Sequence, residues 1–380
     1  MFILCCKLRA LKRRLKLLNR ESYYDISVRT DDARRLLLEA QNAIQLDPHN
    51  QALAEIEKDR LQLFSDLRLQ EESFFRQKSR VRWLREGDLN TKFFHHSVKR
   101  SQLQNRIISI SDGHNLITDP AEVQQIFVRH FRNLLSAAVP SSNPFVEEIR
   151  AKLACTLDEN QILAISQPFT DDEIRATLFS LASGKAPGPD GFNVDFFKQS
   201  WDIVGPSVLL AVRDFFYSRQ LLREINSTIL TLVPKIPNAS SINEFRPIAC
   251  CNTVYKCITK LLANRLARVL PSIISPTQNA FVKGRRISDN IMLAQELFSD
   301  FHHSPYLPKN IIKVDFSKAY DSVDWKFIEM TLHAFRFPSV FIDRIMTCIR
   351  TPRFSISLNG ELHGFFKSGR GIRQGDPMSP

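Results

Sequence analysis

The sequence lacks the features of extended, membrane-spanning or largely disordered proteins. It has only 12 glycines in 380 residues, with no low-complexity run and no internal repeat. It has no apolar run of about 18 residues, so we predict no membrane span and no membrane partner. The apolar start, Met1–Cys6, is too short for the core of a signal peptide and leads directly into basic residues.

Cysteine is present without the spacing of a metal site or a disulfide framework. The seven cysteines include no C-x-x-C pair, and their number is odd. We therefore predict free, mostly buried thiols in a reducing, intracellular compartment, with the nucleus and the cytoplasm both open.

Acidic residues are fewer than basic ones, 40 against 52, which gives a formal net charge of +12. Such an excess favours a polyanionic partner, because cations set against phosphates release counterions. The first 20 residues hold seven Lys/Arg and no acid on a helical leucine pattern. This helix fits either a nucleic-acid or membrane-surface contact or, more simply, one packed face with the other solvated.

The region over 1–140 is predicted to be mainly helical. Two long helices over 30–80 are interrupted at Asp47–Asn50. Residues 76–106 mix basic and aromatic side chains, which suits single-stranded nucleic acid and equally suits a core-facing aromatic stripe. A hairpin over 107–118, a helix from about 120 to 135 and a polar linker over 136–147 follow.

The middle of the chain carries clear start and turn signals. Thr170 and Glu173 form a capping box, and the stiff turn Lys185–Gly191 follows the helix that they begin. A β-branched strand then ends at Lys235, and a return strand begins near Arg246, which places the two cations on the arms of one hairpin. By spacing alone they are surface cations. On the next helix we predict Arg265 to be solvated.

The most informative residue is Asp315, which follows an apolar strand in the string Ile311–Asp321. A buried carboxylate is costly unless a metal or a partner meets it, and carboxylate oxygens suit Mg²⁺. Considered without the rest of its string, an aspartate at the end of a strand would more simply cap a helix or pair with a cation. Asp321 and Asp324 are interpreted as a helix cap. A hairpin turn at Asn359–Gly360 precedes the string Arg373–Pro380.

Several of these strings resemble the reverse transcriptase of plant LINE-type (non-LTR) retrotransposons. The resemblance covers about 80–380 and rests on Trp83–His95, Lys185–Gly191, Gln278–Asn290, Ile311–Asp321 and Arg373–Pro380. It implies an α+β fold, with right-hand polymerase fingers and an incomplete palm after a mainly helical N-terminal region. The implied boundaries are 1–140 for that region, 150–310 for the fingers and 311–380 for the partial palm, with the reverse transcriptase domain over about 227–380.

The resemblance also assigns roles to individual residues. Asp315 is the implied catalytic residue and metal ligand, and Phe316 lends the metal its backbone carbonyl. Tyr320 lies under the sugar and rejects a 2′-hydroxyl, or is simply core. The remaining implied contacts are with the nucleotide, from Lys235, Arg246, Gln374 and Gly375, and with nucleic acid, from Lys283, Arg285 and Arg286.

The implied reaction is addition of dNTPs to a DNA primer on an RNA template, with Mg²⁺ as cofactor and Mn²⁺ as the alternative. The family's third palm motif, its thumb and its endonuclease are not found in the 380 residues, so we expect this stretch alone to be inactive. Two alternatives stay open: a non-catalytic nucleic-acid-binding remnant, and a fragment whose incomplete sheet does not fold stably.

Overall fold

A computed structural model describes residues 1–79, 91–112, 115–136, 145–299, 312–315 and 318–379. The chain divides into two compact units. One is Lys7–Arg106, and the other combines Met1–Cys6 with Ile107–Pro380. Most of the predicted linker over 136–147 lies outside the described residues. A mixed helix and sheet fold with a helical N-terminal region agrees with the class expected from the sequence.

Helices make up the described part of the N-terminal region before the first strand. They are α1 (Phe2–Leu18), a π-turn (Asn19–Tyr23), α2 (Ile26–Leu46), α3 (Gln51–Ser79) and α4 (Thr91–Gln104). The leucine stripe of α1 is buried at Leu4 and Leu8 and exposed at Leu15 and Leu18. Only the first half of α1 therefore matches the expected packed face.

The unit Lys7–Arg106 is built on an antiparallel pair formed by α2 and α3. The predicted break is confirmed, since Asn50 Oδ1 caps α3 by accepting from the backbone N–H of Ala52 at 3.1 Å. Arg60 on α3 donates to the carbonyl of Leu36 on α2 at 2.6 Å. The core between the helices contains Ile26, Ala33 and Leu67, with Phe64 and Phe74 packed against it.

The other unit surrounds a small sheet with helices. Its strands are β1 (Ile110–Asp112), β2 (Asn115–Ile117), β3 (Ser227–Pro234), β4 (Phe245–Cys251), β5 (Arg353–Leu358) and β6 (Glu361–Lys367). Its helices are α5 (Pro120–Ser136), α6 (Val146–Ala151), α7 (Glu159–Ser166), α8 (Asp171–Ser180), α9 (Val194–Gln199), α10 (Trp201–Ser218), α11 (Thr253–Ile273), α12 (Ile287–Ser299), α13 (Ala319–Ser322), α14 (Trp325–Ala334) and α15 (Ser339–Arg350).

The main sheet has the strand order β4-β3-β5-β6. The outer pairs are antiparallel, and the central pair, β3 with β5, is parallel. Both hairpins predicted within this sheet are present. The second closes with a two-residue turn, because Leu358 pairs with Glu361 and the intervening Asn359 and Gly360 have φ values of 50° and 94°.

Helix α11 lies in the core, and it corrects one expectation. Its apolar face is buried as predicted, and so is Arg265, which is 3% exposed rather than solvated. Arg265 Nη2 donates to the carbonyl of Pro168 at 3.1 Å and to Glu173 Oε2 at 3.0 Å. The guanidinium also lies 3.7 Å from the centre of the Phe169 ring. Backbone carbonyls distant in sequence supply partners that no local pattern reveals.

The turn Lys185–Gly191 packs against the start of α11. A Cβ on Gly188 would lie 2.6 Å from the carbonyl carbon of Cys251 and still closer to Asn252. Asn252 Oδ1 accepts from the backbone N–H of Asp190 at 3.1 Å. Lys256 Nζ donates to the carbonyl of Ala186 at 3.2 Å. These contacts give the turn a structural role.

We expect Gly188→Ala to lower the free energy of unfolding by about 3 kcal/mol, because the added methyl has backbone on the opposite side and cannot be accommodated without a shift. Urea denaturation monitored by circular dichroism measures the change. The matched control is Gly369→Ala, whose Cβ would meet its nearest atom, the carbonyl oxygen of Ser136, at 3.7 Å. Equal stability of the two variants would contradict this account of the turn.

The cysteines agree with the expectation of mostly buried thiols. All seven carry thiols without a disulfide bond, and Cys5, Cys251, Cys257 and Cys348 are buried. Burial raises the pKa of Cys257 to about 12, so that thiol stays protonated at neutral pH. Among the described helices, none combines the length and the apolar composition that a membrane crossing needs.

Candidate nucleotide-binding site

The loop end of the β3–β4 hairpin brings two predicted cations together. Arg246 pairs in register with Val233, and the backbone N–H of Lys235 donates to the carbonyl of Glu244 at 2.7 Å. Since side chains alternate along a strand, Lys235 and Arg246 project from the same face of the hairpin. Both are exposed. The arrangement confirms the predicted placement on two arms of one hairpin.

The loop between these strands is held by its own acidic residue. Glu244 Oε2 accepts from the backbone N–H groups of Ser241 at 3.0 Å and Ser240 at 2.7 Å. These two bonds lower the pKa of Glu244. Lys235 Nζ donates to the carbonyl of Asn243 at 2.6 Å, and Lys318 Nζ donates to its side-chain oxygen at 3.3 Å. A second cation from a distant segment thus joins Lys235 at the same loop.

Asp315 lies in a segment without regular structure, which corrects the expectation of a buried strand. Residues 312–315 are exposed, with Ile312 at 84% and Val314 at 74%. A strand needs a neighbouring strand to satisfy its backbone groups. In the described part of the chain, none of the paired strands takes 312–315 as a neighbour. The predicted ligand Phe316 lies outside the described residues.

Tyr320 is half-buried on the single turn of α13, which is held to the loop after β6. The backbone N–H of Ile372 donates to the carbonyl of Tyr320 at 2.7 Å, and that of Gly371 donates to Val323 at 2.8 Å. Trp325 Nε1 adds a bond to the carbonyl of Gly371 at 2.7 Å. Gly371 has φ +79°, and a Cβ there would meet the carbonyl oxygen of Asp321 at 2.8 Å. Glycine is needed both for the conformation and for the close approach.

The Gln374–Gly375 turn lies beside β4. The backbone N–H of Ala249 donates to the carbonyl of Gln374 at 2.8 Å, and Gly375 has φ +100°. Gln374 lines a small cavity together with Pro247, Arg370 and Asp321. The structure therefore brings Gln374 and Gly375 to the strand that carries Arg246.

Asp321 lies at the candidate site, whereas the sequence analysis interpreted it as part of a helix cap. The helix cap is Asp324, whose Oδ1 accepts from the backbone N–H of Lys326 at 2.8 Å. Asp321 instead lines the cavity beside Gln374. Burial raises its pKa, against the opposing influence of Lys318, Lys235 and Arg370. The string Ile311–Asp321 alone could not indicate this position for Asp321. It depends on where the β3–β4 hairpin, with its cations, lies in the fold.

Arg373 is the second residue that sequence reasoning missed. It is 7% exposed, and its guanidinium donates to Asn226 Oδ1 at 2.6 Å, Thr228 Oγ1 at 3.0 Å and the carbonyl of Cys348 at 2.7 Å. It also donates to the Tyr255 hydroxyl and lies 3.4 Å from Asp376 Oδ2. Burial opposes its charge, but the surrounding groups, Tyr255 first, outweigh this and raise the pKa of Arg373. It fastens the Gln374–Gly375 turn to the core.

The predicted nucleic-acid loop contains one cation with a structural role. Arg285 donates to the carbonyls of Pro271 at 3.0 Å, Ile274 at 2.9 Å and Gln278 at 2.7 Å, around the end of α11. A guanidinium suits such a helix end, whose last carbonyls lack partners. Lys283 and Arg286 are exposed. The nucleic-acid contacts of all three residues stay predictions.

The donor set at Asp315 suits a hard divalent cation without completing its coordination. Its carboxylate is exposed, so a hydrated cation can reach it. Within the described ranges, no group of three or more His, Cys, Asp or Glu residues is arranged to hold a metal. Asp315 could therefore provide one anchoring carboxylate, with other ligands from substrate phosphates and water.

The candidate site combines cations, a tyrosine and a carboxylate-bearing segment within one unit of helices and strands. Comparisons with known proteins show what this part of the chain is similar to. Residues 233–380 match the family described as reverse transcriptase (RNA-dependent DNA polymerase). The chain is 30% identical over 304 residues to the transposon TX1 uncharacterized 149 kDa protein of Xenopus laevis, covering 80% of this chain and 23% of that protein.

A second relative is the retrovirus-related Pol polyprotein from type-2 retrotransposable element R2DM of Drosophila melanogaster. It is 26% identical over 257 residues, which cover 68% of this chain and 23% of the relative. The corresponding protein from the type-1 element R2 of Nasonia vitripennis is 23% identical over 237 residues, covering 62% of this chain and 22% of the relative. The chain thus spans less than a quarter of the length of each of these relatives.

The chain contains a reverse transcriptase domain with homologues from non-LTR retrotransposons. The part of the chain that is similar to RNA-dependent DNA polymerases is residues 233–380. Members of this family in general bind a nucleic-acid template and primer together with dNTPs, and generally use divalent metal ions.

Proposed function

We propose that this chain is the fingers and part of the palm of a LINE-type reverse transcriptase, similar to those of plants, which copies RNA by adding dNTPs to a primer 3′ end. The observation that carries the proposal is the family match over 233–380, which includes both hairpin cations, Asp315 and the Gln374–Gly375 turn. The basic net charge of +12 supports a nucleic-acid substrate.

Each residue of the candidate site has a task in this reaction. Lys235 and Arg246 bind the triphosphate, since phosphoryl transfer depends mainly on positioning and charge neutralisation. Tyr320 lies against the deoxyribose and disfavours a 2′-hydroxyl. Gln374 and Gly375 line the pocket for the base pair that forms. Backbone hydrogen bonds join the loop around Gly371 to the segment that carries Tyr320, and Gln374 follows in the same loop. These bonds hold Tyr320 and Gln374 at a fixed separation.

Asp315 is the proposed anchor of Mg²⁺. When bound, a pair of such ions would activate the primer 3′-hydroxyl and stabilise the leaving pyrophosphate. One carboxylate cannot hold two ions in the geometry that in-line displacement needs. We therefore propose that residues 1–380 alone do not extend a primer and that further carboxylates complete the site.

Template binding is assigned to the loop after α11. Lys283 and Arg286 are exposed and suit the phosphate backbone, which fixes register without reading sequence. Arg285 holds the loop in shape through its carbonyl contacts and contributes to template binding through that shape.

We expect Lys235→Ala and Arg246→Ala each to raise the Kd for a dNTP by about tenfold, because each removes a charge-assisted contact with the triphosphate. The measurement is binding of a fluorescent dNTP to the chain in the presence of a primer–template duplex and Mg²⁺. Arg223→Ala, which removes an exposed cation before β3, is the matched control. An unchanged Kd in both hairpin variants would remove the hairpin from the nucleotide site.

A further inference from the structure

We propose that a groove between α5 and β6 binds the backbone of single-stranded RNA, at a place separate from the nucleotide site. The inference shares with the proposed function only the expectation of an RNA ligand. It depends on the shape, the charge and the hydrogen-bonding groups of the groove, and it needs no polymerase chemistry.

The groove exists because α5 is fixed firmly against the sheet. The apolar face of α5 is buried at Val123, Phe127, Phe131 and Leu135. Its last turn is capped by the loop after β6, since the backbone N–H of Gly369 donates to the carbonyl of Leu135 at 2.8 Å. A helix held in this way presents its opposite face in a fixed orientation.

A glycine on β6 allows the close approach that shapes the groove. Gly364 has φ +61°, and a Cβ there would lie 2.7 Å from Cγ1 of Val128 on α5. The strand therefore touches the helix at this point, and the side chains on either side form the walls. The resulting cavity of about 420 Å³ is lined by Gln124, Gln125, Val128, Arg129, Arg132, Asn133, His363 and Gly364. That volume lies within the range of about 300–1,000 Å³ common for ligand sites.

The charge of the lining is positive. Arg129 and Arg132 are exposed, and among the described residues neither has a carboxylate within ion-pair distance. They are neighbours on the helix surface, about 5–6 Å apart at Cβ, which lets them contact adjacent phosphates of one strand. A guanidinium presents a planar fork that matches phosphate oxygens.

The groove also offers polar side chains that can form hydrogen bonds. His363 lines it, with Nε2 buried and 3.6 Å from Glu361 Oε2. The amides of Gln124, Gln125 and Asn133 provide donors and acceptors beside it. Unstacked RNA presents base edges and 2′-hydroxyls that such groups recognise, whereas an apolar peptide face would find only Val128.

The test is the affinity of the chain for a fluorescein-labelled single-stranded RNA of about 16 nucleotides, measured by anisotropy without dNTPs or Mg²⁺. We expect Arg129→Gln/Arg132→Gln to weaken binding by about tenfold at moderate salt. The slope of log K against log salt should fall in magnitude by about 1.4, since each phosphate contact on a single strand contributes ~0.7.

The control is Arg223→Gln/Arg268→Gln, which removes the same charge from two exposed arginines elsewhere. An equal loss in both double variants would reduce the effect to net charge and overturn the proposal, as would wild-type affinity in Arg129→Gln/Arg132→Gln. If that variant does not fold, Gln125→Glu/Asn133→Asp places repulsive charge in the groove and is expected to weaken binding in the same way. Asp343→Asn, at an exposed carboxylate on α15, should leave this affinity unchanged. Because the assay contains no dNTP or Mg²⁺, failure of the polymerase proposal is seen separately, in primer extension.

Discussion

Asp315→Asn is expected to reduce primer extension by about a thousandfold, measured in the shortest C-terminally extended chain that supports extension. The substitution keeps the size of the side chain and removes the charge that would anchor Mg²⁺. Loss of one preorganised electrostatic group typically costs about 10²–10³ in rate, and loss of a metal anchor lies at the upper end.

Asp343→Asn is the matched control for this experiment. Asp343 lies on α15, away from the candidate site. Its exposed carboxylate pairs with Arg219 at 2.9 Å. The same chemical change there should leave extension within about twofold, since surface ion pairs contribute little. Extension by Asp315→Asn at the level of the control would show that this carboxylate does not act in catalysis.

The second large effect is on stability, at Arg373. Arg373→Met should lower the free energy of unfolding of the unit that contains it by about 3–5 kcal/mol, because it leaves Asp376 buried without its cation. Asp376 is 4% exposed, so water cannot replace the lost partner. Denaturation in guanidinium chloride, followed by circular dichroism, measures the change.

A double variant separates the ion pair from the packing. Arg373→Met/Asp376→Leu removes both charges, and we expect it to recover part of the stability, since a buried pair replaced by apolar groups is often tolerated. Arg246→Met, at an exposed position on β4, should unfold like the parent chain. If Arg373→Met unfolded at the same denaturant concentration as Arg246→Met, Arg373 would not be the link between the Gln374–Gly375 turn and the core.

Local sequence signals predicted the elements that local contacts stabilise. The Asn359–Gly360 turn, the break at Asp47–Asn50 and the capping residue Thr170 each depend on residues within four positions of one another. The hairpin carrying Lys235 and Arg246 was predicted for the same reason, since a β-branched strand and its return are close in sequence.

Residues whose role depends on distant backbone were not predicted. Arg265 and Arg373 are cations, and a cation is expected in solvent unless its partners are known. Those partners come from segments about 100 or more residues away, such as Pro168 for Arg265 and Asn226 for Arg373. Asp321 was assigned to a cap for the same reason, because the cavity that it lines with Gln374 forms only after the chain folds.

The measurement that tests the central claim most directly is primer extension on an RNA template with Mg²⁺ and dNTPs. Residues 1–380 are compared with a chain that continues through about 100 further residues of the same gene product, a length set by the usual size of a domain. We predict extension by the longer chain and none by residues 1–380. Extension by residues 1–380 alone would contradict the proposed incomplete metal site. Inactivity of both chains, with salt-sensitive RNA binding retained, would contradict the polymerase assignment itself and favour a nucleic-acid-binding remnant.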